Sequence, residues 1–202
     1  MHKILITGGN GFLGANLARY LLQHTNDTLF LLTHGDISSI NDIKKDVAIY
    51  RGDITEQETV KKLIHRIKPE IVYHCAAYGV TSTQHDITRM ARVNILGTIN
   101  LFNALATLDT CKRIILPSSA LSYAAKKTPR KETDSLDPKS AYSVTSATQE
   151  YFARYYATAF HMPVVIMRSF LTYGPFGPPE RLIGALMRSL IQKKPIKLSS
   201  PK

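Results

Sequence analysis

The pattern of hydrophobic and polar positions alternates between short apolar runs and longer stretches with helical spacing. The short runs predict six strands, at Lys3–Thr7, Thr28–Leu32, Val47–Tyr50, Glu70–Cys75, Arg113–Leu116 and Val164–Met167. Apolar residues three and four positions apart predict helices over 12–23, 60–67, 86–108, 141–160 and 180–192. Thr55 and Glu58 have the spacing of a capping box for the helix at 60–67. Strands that alternate with helices indicate an α/β fold with a doubly wound parallel sheet and helices on both faces.

A glycine-rich loop separates the first predicted strand from the first predicted helix. Gly8, Gly11 and Gly14 have the spacing G-x-x-G-x-x-G, and Phe12 and Leu13 lie between the last two. Glycines here permit a tight turn and a close approach to a pyrophosphate, and the helix N-terminus adds N–H groups and a positive dipole end. A plain glycine turn is the alternative. The strand–loop–helix context favours a dinucleotide site formed by these five residues, and thus a fold of the Rossmann type.

Composition and charge narrow the function classes. The 202 residues are 44% hydrophobic and 20% charged, which is typical of a folded globular domain. We expect no membrane span, because no apolar run reaches about 18 residues. The net charge of +11 favours anionic ligands, but the basic residues are dispersed, so we expect no nucleic-acid partner. Cys75 and Cys111 are interpreted as apolar thiols in a reducing cytoplasm, with no metal site.

Five further segments follow the glycine loop in a characteristic order. They are Arg51-Gly52-Asp53-Ile54, His74-Cys75-Ala76-Ala77, Val93-Asn94-Ile95-Leu96-Gly97-Thr98, Pro117-Ser118-Ser119-Ala120-Leu121-Ser122-Tyr123 and Arg168 to Pro175. With the loop, these segments resemble the extended short-chain dehydrogenase/reductase family, the NAD(P)-dependent epimerases and dehydratases of nucleotide sugars. Each segment alone is only suggestive, whereas six in the same order identify the chain as a member of that family.

The resemblance implies which residues contact the cofactor. Asp53, followed by Ile54, matches the acid that touches the adenine, and Ala76 and Ala77 match a segment beside the cofactor. An acid about 20 residues past the glycine loop normally bonds the ribose of NAD.

At that position, the end of the second predicted strand, this sequence has Thr33 followed by His34. Without a carboxylate there, and with a histidine beside it, we expect NAD(P) binding with NADP slightly favoured over NAD. The alternative is that Asp36 loops back to the ribose.

The resemblance also implies a catalytic set. Tyr142 matches the acid/base tyrosine, Ser119 matches the serine that bonds the same substrate oxygen, and Asn94 has a supporting role. In the family a lysine four residues after the tyrosine lowers the tyrosine pKa, but this sequence has Ser146 there. A shift of ~3 pKa units corresponds to ~4 kcal/mol, which a serine hydroxyl cannot supply as a cation does. Lys139 precedes the helix and follows Pro138, so we do not expect it to replace that lysine.

These observations leave two hypotheses. The first is an enzyme of nucleotide-sugar chemistry, an epimerase, dehydratase or ketoreductase, in which Tyr142 and Ser119 handle the proton during hydride transfer. The second is a catalytically impaired cofactor-binding or sensor protein of the same fold, favoured by Ser146 and by Leu171, where the family usually has an asparagine.

The predicted domain organisation also follows the family. Residues 1–174 are predicted to form the NAD(P)-binding domain, and residues 175–202 to begin a substrate-binding region that is mostly absent. The helices at 86–108 and 141–160 are candidate faces of a homodimer by the same resemblance.

Overall fold

Six parallel strands form one sheet in the computed structural model, which describes residues 1–81, 83–178 and 181–195. The strands are β1 (Lys3–Thr7), β2 (Thr28–Thr33), β3 (Ala48–Arg51), β4 (Ile71–His74), β5 (Arg113–Ser119) and β6 (Val164–Ser169). Their order is β3-β2-β1-β4-β5-β6, and every neighbouring pair is parallel. The predicted doubly wound Rossmann-type sheet is therefore confirmed.

The connecting helices lie close to their predicted positions. They are α1 (Phe12–His24), α2 (Gln57–Ile67), α3 (Ile87–Met90), α4 (Gly97–Leu105), α5 (Ala141–Ala159) and α6 (Leu182–Ile191). The helix predicted at 86–108 is not a regular α-helix, because a π-helical segment, Ala91–Leu96, joins α3 to α4. None of the helices in the described ranges is long and apolar enough to cross a membrane.

The capping box predicted for α2 is wrong. The N-cap residue is Glu56, which makes no side-chain cap hydrogen bond, and the Thr55 N–H donates instead to Asp53 Oδ1 at 2.8 Å. A capping box does begin α5, where the side chains of Ser140 and Ser143 each accept the other residue's backbone N–H. The Asp53 carboxylate thus binds the Thr55 N–H, which the predicted capping box assigned to the Glu58 side chain.

The core lies on both faces of the sheet because the strands carry apolar residues at successive positions. Leu5 of β1 packs with residues of α2, α4 and α5 on one face. Ile4 and Ile6 point to the opposite face, where they pack with residues of α1 and β2. All three β1 side chains are at most 1% exposed. Burial on both faces is the arrangement that a parallel sheet requires.

The chain divides into two units, Met1–Phe170 and Leu171–Lys202. The first unit contains the sheet and α1 to α5, and the second contains α6. Glu180, at the start of the helix predicted over 180–192, and residues 196–202 lie outside the described residues. The division of the chain into a cofactor domain over 1–174 and a substrate region over 175–202 stays a prediction.

Candidate functional site

A cavity of about 830 Å³ opens at the carboxyl ends of the central strands. Residues that follow β1, β2, β3 and β4 line it, and β1 lies between β2 and β4, where the strand order reverses direction. In open α/β sheets, ligands bind at this reversal point. Eight of the predicted cofactor-binding residues line the cavity: Gly8, Gly11, Thr33, His34, Asp53, Ile54, Ala76 and Ala77.

The glycine loop presents its backbone to this cavity. Gly8 has a φ of +65°, and a Cβ there would lie 2.8 Å from the Ala76 backbone. A Cβ on Gly14 would overlap the Gly8 carbonyl oxygen, so Gly14 serves the packing of the loop itself. Gly11 is the N-cap of α1 and has no side-chain cap hydrogen bond, and a Cβ there would meet one atom, the Gly8 carbonyl oxygen, at 3.2 Å. Phe12 and Leu13 lie in the first turn of α1 but do not line the cavity.

The ends of β2 and β3 place polar side chains at one side of the cavity. Thr33 is 1% exposed and its hydroxyl donates to the Tyr50 carbonyl, so this hydroxyl is turned toward β3. His34 Nε2 lies 3.7 Å from Asp53 Oδ2, and both side chains are substantially exposed. Burial raises the pKa of Asp53, but hydrogen bonds from Thr55 and the charges of His34 and Arg92 outweigh it and lower the pKa. The Asp53 carboxylate therefore stays ionised at neutral pH.

The Asp36 carboxylate, the alternative ribose ligand, bonds within its own turn. It accepts hydrogen bonds from the backbone N–H and the hydroxyl of Ser38, and these bonds lower its pKa. Asp36 is not one of the described residues that line the cavity. In the described part of the chain, no three His, Cys, Asp or Glu side chains come together in a way that could hold a metal ion.

A buried hydrogen-bond chain passes through His74 behind the cavity. Thr98 donates its only hydroxyl proton to the Asn94 carbonyl at 2.5 Å, so its oxygen accepts from His74 Nε2 at 2.9 Å. His74 Nδ1 is then the acceptor, and the Thr7 hydroxyl donates to it at 2.7 Å. The Ala76 N–H in turn donates to Thr7 Oγ1. The chain fixes a neutral His74 with its proton on Nε2, and it holds the segment after β4 against β1.

Burial lowers the pKa of His74 from 6.5 to about 4. The unfolded chain binds a proton at higher pH than the folded chain, so this contribution is present above pH 6.5 and is lost as the pH falls toward 4. We expect His74 to account for about 3 kcal/mol of lost unfolding free energy between pH 7.5 and pH 4. Urea unfolding of the parent and of His74→Gln at both pH values measures this difference. An equal pH dependence in the two proteins would contradict it.

Asn94 joins the cavity wall to α5. Its side chain is fully buried, its Oδ1 accepts from the Tyr78 N–H at 2.8 Å, and its Nδ2 donates to the Tyr78 carbonyl at 2.9 Å. The same Nδ2 lies 2.9 Å from Thr145 Oγ1, and the Thr145 hydroxyl donates to the Tyr142 carbonyl. Asn94 lies in the π-helical segment, a kind of distortion frequent at functional sites. Its contacts position the loop after β4 relative to the first turn of α5.

The predicted catalytic residues lie beside the cavity rather than along it. Ser119 ends β5, is 8% exposed, and its hydroxyl accepts from the Leu121 N–H. Tyr142 lies in the first turn of α5, and Ser146 donates to the Tyr142 carbonyl at 2.9 Å. None of the three is among the described residues that line the cavity. Their catalytic roles stay predictions.

The structure also locates Lys139. Its ammonium group lies 2.7 Å from Asp137 Oδ2, and its side chain is 78% exposed. This surface ion pair agrees with the expectation that Lys139 does not take the place of the family's lysine.

A buried ion pair beside Ser119 was missed at the sequence level. Glu150 is fully buried and accepts from Arg168 Nε and Nη2 at 2.7–3.0 Å, and Ser118 Oγ donates to it at 2.6 Å. The Arg168 guanidinium also lies 4.6 Å from the Tyr123 ring centroid. Glu150 lies eight residues, or about two helical turns, after Tyr142 on α5. An acidic residue on the buried face of a helix was the signal in the sequence that could have indicated a buried ion pair. The pair ties α5 to β5 and β6.

The lining of the cavity also includes residues that sequence reasoning missed. Tyr78, Arg89 and Arg92 line the cavity, and the Arg89 guanidinium lies 4.8 Å from the Tyr78 ring centroid. Arginines three positions apart on one helix were the signal available in the sequence.

Comparison with known proteins agrees with the fold. Residues 4–201 match the NAD dependent epimerase/dehydratase family. A dTDP-D-glucose 4,6-dehydratase of Dictyostelium discoideum is 30% identical over 96% of this chain and 49% of its own length. A UDP-glucuronate 4-epimerase of Thermodesulfobacterium geofontis is 27% identical over 98% of this chain and 64% of its own. The chain thus spans about half to two thirds of these relatives.

Solved structures give the same result. The UDP-glucuronic acid 4-epimerase of Bacillus cereus, in complex with UDP-glucuronic acid and NAD, has a TM-score of 0.84 and 28% identity. The match covers 96% of this chain and 64% of that one. The relatives and structures named here include both dehydratases and epimerases, and the cofactor named with the structure is NAD. On the family match over residues 4–201, the chain belongs to the NAD-dependent epimerase/dehydratase family, a group of extended short-chain dehydrogenases/reductases.

Proposed function

We propose that the cavity binds a nicotinamide dinucleotide and that the protein acts on a nucleotide sugar by hydride transfer at a sugar carbon. The observation that carries this proposal is the position of the glycine loop. Its uncapped helix N-terminus faces a cavity of about 830 Å³ at the point where the strand order reverses. The relatives that act on dTDP-glucose and UDP-glucuronate support the substrate class.

The residues present fit such a cofactor. The Gly8–Gly11 backbone and the N-terminus of α1 would hold the pyrophosphate, and Asp53 and Ile54 would contact the adenine. When bound, the nicotinamide accepts or returns a hydride. We assign Tyr142 the transfer of the proton at the sugar hydroxyl and Ser119 a hydrogen bond to the same oxygen, as in the family.

We expect Gly11→Val to weaken cofactor binding at least ~100-fold, or ~2.7 kcal/mol, without unfolding the protein. Gly11 has φ −78° and ψ 165°, which valine adopts readily, and its Cβ would meet only the Gly8 carbonyl oxygen, at 3.2 Å. The added side chain would fill the space that the pyrophosphate needs. Calorimetric titration with NAD and NADP measures the loss, and circular dichroism melting checks the fold.

Gly14→Ala is the matched control for the loop. Its Cβ would overlap the Gly8 carbonyl, so we expect this smaller change to lower the melting temperature more than Gly11→Val does. Unchanged dinucleotide affinity in a folded Gly11→Val protein would rule out the proposed pyrophosphate site.

We propose further that NADP is slightly favoured over NAD. The family description and the solved structure name NAD alone. The support for NADP comes from the end of β2, where His34 follows Thr33 and the Asp36 carboxylate is bound by Ser38. A 2′-phosphate there would meet an imidazole and no uncommitted carboxylate from β2. Because the Thr33 hydroxyl is turned to β3, His34 is the residue through which we expect this preference to act.

A second candidate function is cofactor binding or sensing without catalysis. The observation that favours it is Ser146, whose hydroxyl bonds the helix backbone at Tyr142 and carries no charge. Dinucleotide binding without turnover on a panel of nucleotide sugars would select this candidate over the enzyme.

Assembly and location are proposals of the same kind. We propose a homodimer through the helices at 86–108 and 141–160, where Leu96, Val144, Tyr151 and Tyr155 are exposed apolar side chains. Light scattering of the purified protein measures its mass. A cytoplasmic location stays a prediction.

A further inference from the structure

Asp53 shares its end of the cavity with His34 and Arg92, which come from different elements. His34, after β2, has its Nε2 3.7 Å from Asp53 Oδ2. Arg92, on the π-helical segment, lines the same cavity, and its charge acts on Asp53 together with that of His34. Asp53 itself is held by the Thr55 N–H. Asp53, His34 and Arg92 together carry a net charge of zero when His34 is neutral and +1 when it is protonated. This end of the cavity therefore has no net negative charge that would repel a phosphate.

Arg92 and Arg89 both line the cavity, but their side chains have different neighbours. Arg89 is stacked on the Tyr78 ring, whereas Arg92 is the one that acts on Asp53. The segment that carries Arg92 lies beside Asp53 and Ile54, because a Cβ on Gly97, five residues after Arg92, would lie 2.7 Å from Ile54 Cγ2. Asp53 follows β3, and β3 pairs with β2, so this is the end of the cavity where β2 and β3 finish. In Rossmann-type folds the adenosine ribose lies at the end of the second strand, and an arginine near it accommodates a 2′-phosphate.

We propose that Arg92 is a specificity-determining residue for the cofactor, and that it binds the 2′-phosphate of NADP from the π-helical segment. This inference rests on the proposed function, because it requires a dinucleotide in the cavity. A guanidinium suits this task because its planar donors match phosphate oxygens in pairs. The sequence alone gave no reason to choose Arg92, since it is separated from Asp53 by α2 and β4.

The test is a comparison of NAD and NADP affinities by calorimetry in the parent, Arg92→Gln and His34→Gln. We expect Arg92→Gln to weaken NADP binding about tenfold, which is ~1.4 kcal/mol, and NAD binding less than twofold. We expect His34→Gln to weaken NADP binding selectively but less. Arg113→Gln removes the same charge from an exposed position at the start of β5 that does not line the cavity, and both affinities should stay at the parent values.

The outcomes separate this inference from the proposed function. If Arg92→Gln weakens NAD and NADP equally, Arg92 contacts a part common to both cofactors and the inference is overturned. If it changes neither affinity, the inference is overturned while dinucleotide binding stands. A parent protein that binds neither cofactor overturns both. Because Arg92 is exposed, the variant should melt like the parent, which a thermal scan verifies.

Discussion

The Glu150→Ala variant is expected to lose about 3–5 kcal/mol of unfolding free energy, which is a large part of the stability of a typical domain. Glu150 is fully buried and the Arg168 side chain is only 8% exposed, so removing the carboxylate leaves a buried guanidinium without its counter-charge. The Ser118 hydroxyl loses its acceptor in the same step. Urea unfolding at neutral pH, followed by circular dichroism, measures the loss.

A surface pair provides the control for this experiment. Lys112 Nζ lies 2.6 Å from Glu70 Oε1, but the lysine side chain is 65% exposed. Lys112→Ala should therefore cost no more than about 1 kcal/mol, as exposed pairs do. The double variant Glu150→Leu with Arg168→Met should be more stable than Glu150→Ala alone, because it leaves no unpaired buried charge. A Glu150→Ala protein as stable as Lys112→Ala would show that the buried pair contributes no more than the surface one.

The sheet could be predicted because its signal is local. Ile4, Leu5 and Ile6 are consecutive apolar residues followed by glycines, and such a short, bounded run indicates a strand buried on both faces. The glycine loop was predictable for the same reason, since the turn, the helix start and the close approach of backbone are all encoded within residues 7–14.

The features that were missed depend on partners that lie outside the helix concerned. The π-helical segment at Ala91–Leu96 reads as ordinary helix, and what marks it in the structure is the contact of Asn94 with Tyr78 and Thr145. The capping box failed because Asp53 competes for the Thr55 N–H. The burial of Glu150 is explained only by its ion pair with Arg168, which lies on β6, the strand that follows α5. The hydrophobic pattern and the helix and strand propensities carry no information about such pairs. The family resemblance identified Asn94 and Arg168 as members of family segments but did not indicate their contacts.

Ser146, in place of the family's lysine, is expected to limit the activity of the chain at neutral pH. We expect the parent to bind cofactor but to turn over nucleotide sugars about 10³-fold more slowly at pH 7 than a relative with the lysine, since the missing charge corresponds to ~3 pKa units. The activity should rise with pH toward ~10, where a tyrosine ionises without help from a cation. Ser146 is 2% exposed and its hydroxyl only bonds the Tyr142 carbonyl, while Lys139 is paired with Asp137 at the surface.

Three variants separate the role of charge from that of packing. Ser146→Ala removes only a hydrogen bond to the helix backbone, so its rate and cofactor affinity should equal those of the parent. Ser146→Lys should raise turnover at pH 7 and flatten the pH profile, provided that the sugar nucleotide is bound, which calorimetry tests separately. Tyr142→Phe should abolish whatever activity the parent has. Rapid turnover by the parent at neutral pH would mean that a cation other than Lys139 acts on Tyr142, and an active Tyr142→Phe variant would mean that the proton is transferred by another residue.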